Sequence, residues 1–201
     1  MREKLIDNKK DILLLFLYSP GVSNDLNEPI RGRTRLAKLL FVFKMEGLVH
    51  FKKGTSIDDS NFYDFFPWNF GPFSSEIYSD IVFFQLRNFI EFDELIADGS
   101  DIAGEEMDYW DSITGAEFEN EYFISDYVDQ EIKLTEVGLK YTSALYSALT
   151  SSQKNLLKSY KKKFNSAHLR SIIMYVYSKY PDFAKNSQIR DNILGQTNGE
   201  L

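Results

Sequence analysis

Gln130-Glu131-Ile132-Lys133-Leu134-Thr135-Glu136-Val137-Gly138 decides how the chain is read. Residues 130–134 form a short strand candidate, and Thr135 is well suited to cap the helix that follows. Glu136 then sits in the first turn, where the helix dipole favours an acid. The spacing predicts a helix from 136 to about 149 despite Gly138 near its start. Working towards the N-terminus, residues 89–96 read as a second strand. Between the two strands lies an excursion over residues 97–129, far longer than the two to five residues of an ordinary hairpin loop.

Three helices precede the strands. Residues 4–18 place Leu5, Ile12, Leu15 and Phe16 at helical spacing, and Pro20-Gly21 stops them. In the second helix, residues 33–46, Thr34 is the expected cap, Gly47 the expected end, and Leu36, Leu39, Leu40 and Phe43 the buried stripe. Residues 74–88 form the third, with Ser74 or Ser75 as cap and Ile77, Ile81 and Phe84 turned inward. Residues 49–53 and 62–66 are short apolar runs, read as strands or irregular chain. Gly71-Pro72 marks a turn, with Phe70 and Phe73 expected to plug the core. After Ser151-Ser152 comes a helix over 153–164, with Leu156, Leu157, Tyr160 and Phe164 on one side and Lys154, Lys158, Lys161 and Lys162 on the other. Ser166 is the expected cap of a further helix, which must end by Tyr180 because Pro181 follows. A short helical turn over 188–194 closes the chain. The order helix, helix, helix, strand, excursion, strand, helix is that of a winged helix with an enlarged wing. The expected fold class is therefore mainly α (α+β): a winged-helix-like domain over residues 1–150, and a C-terminal helical extension over 151–201 packed on it.

Composition bounds the function. The 201 residues carry 23 Lys+Arg against 30 Asp+Glu, a net charge of −7, with 43% apolar residues, no Cys and two His. That length supports one domain with a real core, and the apolar content is far from that of a disordered chain. Without Cys there is no disulfide, thiol nucleophile or Cys zinc site. No apolar run is long enough to span a bilayer, and the first residues do not read as a signal peptide. A cytoplasmic protein with no membrane association is expected. The charge is unevenly spread. Residues 91–136 hold 16 acids and one base, a net of −15, whereas the other 155 residues hold 14 acids and 22 bases, a net of +8. The acidic stretch also holds Tyr109, Trp110, Phe118, Tyr122, Phe123 and Tyr127, which are unusual in a purely solvated acidic tail.

Several motifs are similar to those of one family. Arg31-Gly32-Arg33-Thr34-Arg35-Leu36-Ala37-Lys38-Leu39-Leu40-Phe41 resembles the opening stretch of the Panacea (SocA-like) antitoxin domains and the related YwgA-like proteins. Trp68-Asn69-Phe70-Gly71-Pro72-Phe73-Ser74 resembles their Gly-Pro turn, and Leu134-Thr135-Glu136-Val137-Gly138 the segment after their wing. Ile173-Met174-Tyr175-Val176-Tyr177-Ser178-Lys179-Tyr180-Pro181 resembles a C-terminal helix of the YwgA-like group. The acidic excursion is outside the resemblance. What the resemblance implies is a winged-helix-like core, no catalysis and no cofactor, and a role in binding a partner protein, as antitoxins neutralise toxins or help present them to a protease.

Three functions follow as expectations. The first is a non-catalytic protein-binding regulator of the kind found in toxin–antitoxin or phage-defence systems, whose expected partner is a basic toxin or a protease, with a homodimer in the manner of winged-helix proteins as a further expectation. Its expected contact residues are the basic set Arg31, Arg33, Arg35 and Lys38, Trp68 beside the turn, and Asp108, Tyr109, Trp110, Asp111, Glu117, Glu119 and Glu121 in the excursion. Four bases within eight residues suit a phosphate or a carboxylate-rich face; exposed helix surface and internal pairing are the competing readings. The second is a DNA-binding regulator. It is disfavoured because the helix over 74–88 has one base, Arg87, and the wing would bring a −15 segment to the phosphates. The third is a metal-dependent nuclease built on Asp111 and Glu131-Ile132-Lys133, a pattern that 16 acids in 46 residues produce by chance. His50 and His168 are isolated and suggest no catalytic base.

Overall fold

A computed structural model describes residues 6–94 and 130–195. The chain is mainly helical with two small sheets. Helix α1 (Lys9–Tyr18) starts at Asn8, whose side chain accepts from the Lys10 N–H, and ends at Ser19, whose hydroxyl donates to the Leu15 carbonyl at 2.6 Å. Every residue from Asp11 to Leu17 is buried. Ile12, Leu15 and Phe16 are buried as their spacing suggested, Leu5 lies outside the described residues, and α1 is packed on all sides over this run.

Strand β1 (Ile30–Arg31) leads through Gly32 into α2 (Arg33–Val42). Gly32, at φ +74°, takes the cap position expected of Thr34. Nor does α2 stop at Gly47. It continues through a π-helical turn (Phe43–Gly47) into α3 (Leu48–Phe51), so the run at 49–53 is largely helical. Gly47 keeps helical angles and serves packing: a Cβ there would lie 2.7 Å from the Phe43 ring and 3.1 Å from that of Tyr160. Phe43 meets Phe16 edge to face at 4.9 Å.

Strands β2 (Phe66–Trp68) and β3 (Gly71–Phe73) form a tight antiparallel hairpin, with Gly71 at φ +86°. Next come α4 (Ser75–Leu86), β4 (Ile90–Glu94) and β5 (Gln130–Leu134). Ser74 occupies the cap position of α4, but its side chain makes no capping bond. The second sheet is antiparallel in the order β1-β5-β4, with Phe92 opposite Ile132 and Arg31 opposite Glu131.

The opening stretch folds as expected. Thr135 accepts from the Gly138 N–H at 3.2 Å and starts α5 (Glu136–Ala148). Gly138 is required there, since a Cβ would fall 2.1 Å from the Phe89 carbonyl oxygen. Helix α6 (Ser151–Asn165) begins with a reciprocal capping box between Thr150 and Gln153. Ser166 ends α6 rather than starting the next helix; His168 is the residue before α7 (Leu169–Lys179). Two short helices follow, α8 (Pro181–Ala184) and α9 (Arg190–Gly195). Leu157 and Phe164 of α6 and Ile173 and Val176 of α7 join the same buried cluster as Leu13, Leu40 and Ile132. Among the described residues no helix is long and apolar enough to cross a membrane.

Candidate functional site

The basic set on α2 faces the protein rather than solvent. Arg35 and Lys38 are both about 4% exposed. One nitrogen of the Arg35 guanidinium donates to the Phe164 and Ala167 carbonyls at the end of α6, both at 2.5 Å. Lys38 Nζ donates to the Phe70 and Pro72 carbonyls, each at 2.8 Å, and so ties the hairpin to α2. Burial pushes the Lys38 ammonium down to about 7. Lys44 donates to the Tyr63 carbonyl at 2.7 Å. At the sheet, Arg31 pairs across strands with Glu131 at 3.3 Å, and the Arg33 guanidinium lies 4.9 Å from the Phe92 ring centroid. The expected outward basic face is thus corrected for Arg35 and Lys38. Both are consumed by backbone carbonyls, those of a helix C-terminus for Arg35, where a cation is favoured, and those of the hairpin for Lys38.

The same device recurs on α6. Lys161, assigned to the outer face by spacing, is fully buried and donates to the Leu17 and Ser19 carbonyls at 2.8 and 2.6 Å, closing the C-terminus of α1. Burial lowers its pKa to about 7, with the Glu28 charge opposing that shift.

Trp68 is where the sequence reading and an exposed surface coincide. It is 45% exposed, and Phe66, two residues earlier on the same strand face, is 41% exposed. Their ring centroids are 5.9 Å apart. From the paired strand, Phe73 meets Phe66 at 5.4 Å and Trp68 at 6.2 Å, and stacks on Tyr78 of α4 at 5.2 Å. Phe70 is buried as expected, but Phe73 is part of this surface and does not plug the core. The alternation Phe66-x-Trp68 was a legible signal for a two-residue aromatic face. The addition of Phe73 and Tyr78 depended on a register that the Gly-Pro turn alone did not define.

Beneath the rings the hairpin is fastened at several points. Gln188 donates its N–H to the Asn69 carbonyl at 2.9 Å, and Asn186 Nδ2 reaches the Pro67 carbonyl at 3.3 Å. Gly71 sits on Tyr177, where a Cβ would fall 2.6 Å from the ring. A cleft lined by Thr34, Lys38, Trp68 and Tyr78 measures about 20 Å³, room for roughly one water. A site of this shape offers a firm aromatic platform for a macromolecular surface and no chamber for a small substrate.

The other expected residues separate from this surface. Asp108, Tyr109, Trp110, Asp111, Glu117, Glu119 and Glu121 lie outside the described residues, as does most of the −15 segment. Of the nuclease pattern, Glu131 is engaged by Arg31, and Lys133 pairs with Glu91 at 3.5 Å and more closely with Asp93. Among the described residues no three His, Asp or Glu gather in a way that could hold a metal ion. Helix α4 turns Val82, Phe83 and Leu86 outward, the last 81% exposed. No protein-family model, curated protein or solved structure matches the chain.

Proposed function

We propose that this chain is a non-catalytic, protein-binding regulator of the antitoxin-like kind, with the Phe66–Trp68–Phe73–Tyr78 surface as a docking site for its partner. The single observation that carries the reading is the exposed aromatic cluster on a rigidly fastened hairpin. Large rings held in place offer contact area at little conformational cost, and Trp and Tyr dominate binding hot spots. Contiguous exposed apolar patches mark interaction sites. The pairing order β1-β5-β4, with α1, α2 and α4 before β4, supports a winged-helix-like core. The excursion over 97–129 would then be the wing, and its acidity favours a basic partner such as a nucleic-acid-acting toxin over an acidic one.

The DNA-binding alternative loses support at α4. Its exposed residues Ser79, Val82, Phe83, Gln85 and Leu86 include a single amide and no base before Arg87 at the helix end, so they form no phosphate clamp. Capture from the source cells with the wild-type chain and with Phe66→Ala/Trp68→Ala tests the docking site. The wild type retains a protein partner, and the double variant, still folded, loses it.

A further inference from the structure

A groove of about 390 Å³ lies between α1, α4 and α5, away from the hairpin and sharing no lining residue with its cleft. Phe83, Phe89 and Tyr141 form its aromatic side, and Asp7, Lys10 and Asp11 its polar side. Phe89 and Tyr141 meet edge to face at 5.5 Å. Lys10 is already spoken for: its Nζ lies 2.9 Å from the buried Asp80 carboxylate and 4.4 Å from the Phe83 ring centroid. Asp80 also accepts the Tyr63 hydroxyl at 2.9 Å. Asp11 accepts the Tyr141 hydroxyl at 3.0 Å, while Asp7 is exposed at the rim. Neither Asp7 nor Asp11 has an ion-pair partner among the described residues. With Lys10 matched by Asp80, the groove keeps two carboxylates without an ion-pair partner among the described residues, beside its aromatic rings.

That combination has a specific complement. A guanidinium is planar, stacks on aromatic faces, and meets carboxylates through paired N–H donors. Phe83 already meets two cations of the chain in this manner, Lys10 at 4.4 Å and the Arg87 guanidinium at 5.5 Å from its centroid. The apolar surface does not stop at the rim. Val82 and Leu86 continue it along α4, and Val137, one turn from Tyr141, continues it along α5, all three exposed. A small amine would leave that margin bare, whereas a polypeptide with apolar neighbours would cover it.

We propose that this groove takes an arginine-bearing, otherwise apolar segment of a partner polypeptide, with the guanidinium between Phe83 and Tyr141 and against Asp11 and Asp7. Burial raises the Asp11 pKa and the Asp7 charge adds to that, so an arriving cation relieves an existing electrostatic cost.

The test is a titration of the full chain, followed by NMR at the Phe83, Phe89 and Tyr141 rings. The probes are N-acetyl-Leu-Arg-Leu-amide, the same peptide with Gln in place of Arg, and spermidine. The arginine peptide should give saturable shifts at these rings and bind at least about tenfold more tightly than the Gln peptide or spermidine. Asp7→Asn, at an exposed position, should weaken the arginine peptide about threefold. Asp11→Asn should weaken it further, by about tenfold, and its folding is checked by amide dispersion. Trp68→Ala should leave the titration unchanged, because the groove does not involve the hairpin. Absence of shifts at about 10 mM peptide, equal response to the Gln peptide, stronger binding of spermidine, or indifference to Asp7→Asn would each overturn the proposal.

Discussion

Lys38 and Lys161 show how a residue's chemistry can reverse the reading of its position. Helical spacing put both on outer faces, and both are buried. Spacing reports where a side chain leaves the helix, not where its end goes. A lysine has four methylenes to bury and an ammonium that needs acceptors. Here the acceptors are carbonyls that no regular ladder satisfies: Phe70 and Pro72 in the hairpin, Leu17 and Ser19 after α1. No pattern in one dimension announces such a pairing across 32 or 144 positions. Lys38→Met keeps the volume and removes the donors, leaving two carbonyls of the hairpin unpaired. The expected loss is about 1–3 kcal/mol in urea unfolding. A Trp110→Phe background reports Trp68 emission, which should shift as the hairpin loosens. An unchanged midpoint and spectrum would show that the ammonium does not fasten the hairpin.

Among elements, the strand–cap–helix stretch 130–148 was legible because its determinants are local. Thr135 needs only the N–H of Gly138, three residues on, to do its work. The elements read wrongly depended on distant contacts. Gly47 looked like a helix end, but Phe43 and Tyr160 close over it and the helix runs on. Ser166 looked like a cap, but it completes the helix before it. Gly138 carries both kinds of constraint, and only the local one could be read. Its missing side chain lets α5 cross the Phe89 carbonyl, so Gly138→Ala forces α5 away from the β4 side of the sheet. Thermal or urea unfolding should show a loss of at least about 2 kcal/mol, far above the helix-propensity gain of nearly 1 kcal/mol that Ala brings. A stabilised variant would contradict this packing.

For the whole molecule, the partition of charge into a +8 body and a −15 stretch was legible, but its consequence was not. The body turns several of its bases inward, where they satisfy backbone, so the basic helix offers little to an outside anion. The buried lysines also set a pH dependence. Lys38 and Lys161 titrate near 7 when folded and at 10.5 when unfolded, so between those values the unfolded chain holds more protons. Stability therefore rises with pH across that window. Above 10.5 the trend reverses. Burial, followed by neighbouring carboxylates, raises Tyr63 and takes Tyr141 to about 12, so the folded chain keeps protons that the unfolded chain releases. Below pH 4.5 Glu28 acts in the same sense as the lysines, its stabilisation growing as pH rises. Burial would raise it, but hydrogen bonds from Asn165 and Ser23 outweigh that and hold it at about 2, so its contribution fades between 4.5 and 2. Urea midpoints should climb from pH 7 to about 9.5 and fall beyond 10.5. The Lys38→Met/Lys161→Met double variant should lose most of the climb. A wild-type midpoint that falls between pH 7 and 9 would refute the assignment.

The docking role of the hairpin is the proposal on which the functional reading rests, and calorimetry addresses it most directly. The partner captured by the wild-type chain is purified and titrated against the wild type, Phe66→Ala/Trp68→Ala, and Leu26→Ala as an exposed apolar control on the loop before β1. Loss of two hot-spot rings should weaken binding by at least about 30-fold, with Leu26→Ala within about twofold of wild type. A double variant that folds and binds as tightly as the wild type would contradict the docking role.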